Sequence, residues 1–122
     1  MDRPPKKNLN YITLSVFAPV LILTGVLGFI LPPGPMSSAS AYNIFHIIFG
    51  LIGLIFVLSN NQNLIRIFNV GFGLIDLYQA VASFMNWFPE SYFQWKIADD
   101  ILHIVIGGAL VLIGLLGTSS RQ

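Results

Sequence analysis

The chain has 122 residues, of which 55% are hydrophobic and only 9% charged, against about 25% charged in an ordinary soluble domain. A small soluble fold cannot cover that much apolar surface with so few charges, so one domain in a lipid bilayer is the expectation. The net charge of +1 excludes the concentrated basic footprint of a nucleic-acid binder, and the lack of cysteine excludes disulfides, thiolate metal sites, iron–sulfur clusters and covalent c-type haem attachment.

Residues 1–10 read as a basic arm, with Arg3, Lys6 and Lys7 around a Pro4-Pro5 pair that opposes helix. Residues 11–31 form an uncharged run of about the 20 residues needed to cross a bilayer. Pro19 is expected to kink it, which membrane helices tolerate. Gly25 and Gly28 share a face and allow close helix approach. Pro32-Pro33-Gly34-Pro35 then ends the helix. A signal peptide is the competing reading, given the basic start and the Ala39-Ser40-Ala41 triplet. It is set aside because the apolar run exceeds a signal core of about 7–15 residues and a polar stretch separates it from that triplet.

The second span is expected over residues 42–58. Asn43, His46, Gly50, Gly53, Val57 and Asn60 recur at spacings of three and four and so share one small or polar face. A short polar turn with three asparagines, Asn60, Asn61 and Asn63, leads to the third span, residues 64–88. Its inner seam is the most polar in the chain: Asn69, Asp76 and Ser83 repeat every seven residues, with Gln79 and Asn86 in companion positions. The Gly71-Phe72-Gly73 triplet is not a dinucleotide loop, because no strand precedes it. The loop at 89–98 crowds Tyr92, Phe93 and Trp95 after Trp87, the pattern of an interfacial aromatic belt. The fourth span, residues 99–116, opens on Asp99-Asp100, acids suited to the positive end of a helix dipole. A polar tail, residues 118–122, follows.

The two histidines, His46 and His103, lie 57 residues apart. The same offset sets Pro32 on Pro89, Ala41 on Ala98, Asn43 on Asp100, Ile44 on Ile101, Ile47 on Ile104 and Gly50 on Gly107. We read this as one helical hairpin duplicated in tandem. The expected fold is all-α, an integral membrane four-helix bundle of two hairpins in up-down-up-down order. Five of the six basic residues (Arg3, Lys6, Lys7, Arg66 and Arg121) fall on one side of a four-span path and Lys96 on the other. The positive-inside rule then places both termini in the cytoplasm. Spans two and four run the same way on a diagonal. A two-fold pseudo-axis along the membrane normal would turn both imidazoles inward at similar depth.

The pattern Asn43-x-x-His46-x-x-x-Gly50, with Ala98-Asp99-Asp100-x-x-His103-x-x-x-Gly107, resembles the bacterial four-span membrane proteins grouped as domain of unknown function 4383. The resemblance covers about residues 10–117. It implies the four-span fold and a bacterial inner (or photosynthetic) membrane, and it implies no activity.

Two functions from different classes follow. In the first, the histidines fasten the outer end of the bundle, and the protein is a non-enzymatic structural or accessory subunit that packs against a larger membrane complex or itself. Polar contacts between membrane helices contribute about 0.6 kcal/mol each. In the second, His46 and His103 are the axial ligands of a tetrapyrrole, haem b or a chlorophyll, for electron transfer or pigment binding. Asn43 and Asp100, one turn before each histidine, would then orient the rings, and Gly50 and Gly107 would leave room for the macrocycle. Zinc held by both histidines with Asp99 or Asp100 suits the diagonal separation poorly. No serine joins a histidine and an acid in a recognisable catalytic arrangement. A transporter is disfavoured by the small vestibule of four short spans. Asp76 stands apart as a mid-membrane acid with no Lys or Arg at its depth. It is expected to be neutral and hydrogen-bonded, with Gln79, Thr24 or Ser15 as partner.

Overall fold

The computed structural model describes residues 8–117, so the basic arm with Arg3, Lys6 and Lys7, and the tail with Arg121, lie outside the described residues. The described chain is helical: α1 (Leu9–Ile30), α2 (Ser40–Leu58), α3 (Gln62–Met85), the short α4 (Glu90–Phe93) and α5 (Ile97–Leu116). The four long helices form a bundle, and each is long and apolar enough to cross a membrane.

Helix boundaries follow local chemistry. Asn8 caps α1 by accepting from the Tyr11 amide at 2.9 Å, and Asn61 caps α3 by accepting from the Leu64 amide at 3.1 Å. α1 is unbroken through Pro19, whose ring lies on the exposed surface. The third helix stops three residues short of the expected end because Asn86 adopts a left-handed φ of 57° as its C-cap. Asn86 is therefore an exposed helix terminus and not a companion on the polar seam. Ser83 is half-buried, whereas Asn69, Asp76 and Gln79 are buried as the seam requires. Asn60 leaves the shared face of α2 to turn the chain, exposed and with a φ of 56°.

The helices pair as two hairpins, α1 with α2 and α3 with α5. Glycine sets the closeness of each pair. A Cβ on Gly50 would lie 2.5 Å from the Ile22 side chain on α1, and one on Gly107 would lie 2.8 Å from the Gly73 carbonyl on α3. Such backbone approach is how membrane helices gain dispersion energy without a hydrophobic drive. The expected room beside these glycines is therefore filled by the partner helix.

Between the hairpins the bundle is a rhombus more than a square. α1 approaches α3 across the short diagonal, while α2 and α5 stay apart on the long one. Leu14, Ala18, Leu21, Phe68, Phe72 and Leu110 fill the centre. At the end near the 59–61 turn, Asn69 donates to Asn10 Oδ1 at 2.8 Å and Arg66 Nε donates to the Gly114 carbonyl at 2.9 Å.

Candidate functional site

The end of the bundle that holds the 31–39 and 86–96 loops gathers most of the buried polar chemistry. Asp99, fully buried in the first turn of α5, accepts from the Lys96 amide at 2.9 Å and from the Ser37 amide at 2.7 Å. One carboxylate thus closes the start of α5 and pins the loop between α1 and α2. Lys96 Nζ donates to the Gly34 carbonyl at 2.8 Å, and Ser37 Oγ donates to the Phe93 carbonyl at 2.5 Å. These two loops are stitched into one lid.

Beneath that lid stands Tyr42, from the first turn of α2 and 1% exposed. Its hydroxyl lies 2.7 Å from His103 Nε2, a bond whose direction is set by the ring's tautomer. Its ring lies against His46, with centroids 4.2 Å apart and planes tilted 53°. Phe93 packs on Tyr42 at 5.3 Å, and Trp95 sets its edge to His103 at 6.0 Å. Both histidines are buried at this end, and Tyr42 touches each of them. Trp87 and Tyr92 are exposed as a belt requires, whereas Trp95 is 7% exposed and belongs to the lid.

The expected orienting pairs are not formed. Asn43 donates to the Ser38 carbonyl at 3.0 Å, and its Oδ1 lies over Gly28. Asp100 Oδ1 and the Nδ1 atoms of His46 and His103 have no hydrogen-bond partner among the described residues. Helical side chains lean toward the N-terminus, so Asn43 aims outward at the loop and away from the histidine one turn further in.

A cavity of about 230 Å³ opens below the Tyr42–His103 pair. All four long helices line it: Phe17 and Thr24 from α1, Tyr42 and His46 from α2, Phe72 and Asp76 from α3, His103 and Ile106 from α5. Asp76 is 3% exposed and its carboxyl has no hydrogen-bond partner among the described residues. Its expected partners are engaged elsewhere or do not reach it. Ser15 and Thr24 donate to carbonyls of their own helix, Tyr11 and Val20, at 2.7 Å each, and Gln79 Oε1 is itself unpaired. The cavity is smaller than the 300–1,000 Å³ or so of sites for drug-sized ligands. Among the described residues no three His, Asp or Glu side chains converge as a metal site.

Sequence reasoning missed Tyr42, read as no more than the first residue of a span, and the shared cavity that joins Asp76 to the histidines. Comparison with known protein families, with curated proteins and with solved structures gives no match for this chain.

Proposed function

We propose that the chain is a small integral membrane protein with a structural role, an accessory subunit seated beside a larger membrane complex. The observation that carries this reading is the Tyr42 ring lodged between His46 and His103. The Tyr42 hydroxyl there bonds His103, so that pair serves to hold α2 and α5 together across the long diagonal, with His46 packed on the Tyr42 ring. A macrocycle between them would have to displace Tyr42 and part the stitched loops. The tetrapyrrole reading is correspondingly weaker.

A groove of about 530 Å³ on the outer face of α3 and α5 supports the accessory role. Asn63, Arg66, Ile67, Val70, Gly71 and Leu115 line it. A Cβ on Gly71 would meet nothing within 4 Å, which leaves a notch for a neighbouring helix. In this reading both termini are cytoplasmic, the membrane is a bacterial inner membrane, the two hairpins descend from one, and the chain is kin to the domain of unknown function 4383 proteins.

A photo-cross-linking residue at position 71, activated in native membranes, tests the role. The expected product is a discrete adduct heavier than the chain. Only lipid adducts, together with a monomer on native gels, would contradict it.

A further inference from the structure

The cavity beneath the Tyr42–His103 pair contains an acid without a counter-charge. Among the described residues the only lysine and arginine side chains are Lys96 and Arg66. Both are committed at opposite ends of the bundle, Arg66 to the Gly114 carbonyl and Lys96 to the Gly34 carbonyl. Asp76 and His46 are 3% and 7% exposed, line the same cavity, and have no hydrogen-bond partner among the described residues. A buried acid left so costs free energy unless something completes it.

The walls narrow the choice of what completes it. Phe17, Phe72 and Tyr42 present aromatic rings, and Leu21, Leu102 and Ile106 supply aliphatic surface. Phe17 and Phe72 meet edge to face at 5.6 Å in the cavity wall. Apolar and aromatic walls around a carboxylate suit an organic ammonium, whose charge pairs with the acid while its carbon surface meets the rings. A bare metal ion would need more oxygen or nitrogen ligands than one acid and one imidazole provide. An anion would meet the carboxylate head on.

The mouth faces lipid. Val20 on α1 and Leu102 on α5 line the cavity and are 47% and 36% exposed, and α1 and α5 touch least of the long helices in contact. A ligand dissolved in the hydrocarbon has a lateral way in.

We infer that this cavity binds a compact lipophilic amine, held as its ammonium by the Asp76 carboxylate, with His46 as hydrogen-bond acceptor and the Phe17, Phe72 and Tyr42 rings about the charge. A neutral amine arriving from lipid takes the proton of a neutral Asp76 carboxyl: the O–H bond breaks, an N–H bond forms, and the net charge of the site is unchanged. A quaternary ammonium displaces that proton to solvent. The other titratable groups facing the cavity are Tyr42, His46 and His103. The inference is independent of the accessory role.

Equilibrium dialysis of the full chain in mild detergent against benzyltrimethylammonium, with empty micelles subtracted, tests it. The expected result is saturable one-to-one binding, weakened at least tenfold by Asp76→Asn and kept within about threefold by Asp76→Glu. Neopentylbenzene, the uncharged isostere, should compete at least tenfold less well. Val20→Trp, which plugs the lipid-facing mouth and leaves Asp76 in place, should abolish binding with the circular dichroism unchanged. Absence of saturable binding, equal competition by the neutral isostere, or undiminished binding by either Asp76→Asn or Val20→Trp would overturn the assignment.

Discussion

At the scale of single residues, Tyr42 and Asp76 carry the account. The 2.7 Å bond between Tyr42 and His103 is a polar link between α2 and α5, whose backbones do not meet. A double-mutant cycle with Tyr42→Phe and His103→Leu, read by thermal unfolding in detergent, should give a coupling of about 0.6–1.7 kcal/mol, the span seen for bonds between membrane helices. Zero coupling would mean that the pair is a contact without energetic consequence. Asp76 should behave in the opposite sense. Because its carboxyl has no hydrogen-bond partner among the described residues, Asp76→Leu should leave the melting temperature unchanged or raise it; a fall of several degrees would show that the acid is a packing residue after all. The two histidines and the intramembrane acid were legible in the sequence, because a titratable residue in an apolar run stands out. Tyr42 was not, since an aromatic at the start of a span reads as an interface anchor. The one available sign was the 57-residue offset, which places Tyr42 on Asp99, the two residues that organise the lid.

At the scale of the elements, the four spans were legible to within about three residues, because apolar length and the proline and asparagine breaks mark them directly. The short α4 was not: four residues of a loop carry no periodicity, and their turn is held by backbone bonds such as Gln94 to Glu90. Which glycines matter was also hidden, since a glycine looks the same on either side of a helix. Gly107 and Gly108 are adjacent and should respond differently. Gly107→Ala thrusts a Cβ against the Gly73 carbonyl and should cost about 1–3 kcal/mol in unfolding measurements. Gly108→Ala meets nothing within 4 Å and should change stability by less than about 1 kcal/mol, toward stabilisation. Equal responses would mean that α3 and α5 do not pack through Gly73 and Gly107. Asp99→Ala should remove the amide bonds from Lys96 and Ser37 together and cost about 1–2 kcal/mol, with faster proteolysis of the loop around Gly34 as a second sign.

At the scale of the whole molecule, composition pointed to four helices apolar enough to cross a bilayer, and the pairing into hairpins follows from chain order and short loops. The departure from a square was not legible, because it depends on which polar pairs meet, and Asn10 with Asn69 draws α1 toward α3. The proposed orientation has a direct test at two exposed positions. With a membrane-impermeant maleimide, Gly34→Cys should label in intact cells and Ser59→Cys only after permeabilisation. Labelling of Ser59→Cys from outside would invert the topology. The central claim is that the end of the bundle under the lid is fastened by the Tyr42–His103 bond and is not a slot for a macrocycle. The visible absorption spectrum of the protein, purified in mild detergent from cells supplied with haem precursor, tests it most directly. The account predicts a colourless protein with Tyr42 and His103 coupled; a Soret band at about 410–430 nm, as bis-imidazole haem gives, that disappears in both His46→Ala and His103→Ala would contradict it.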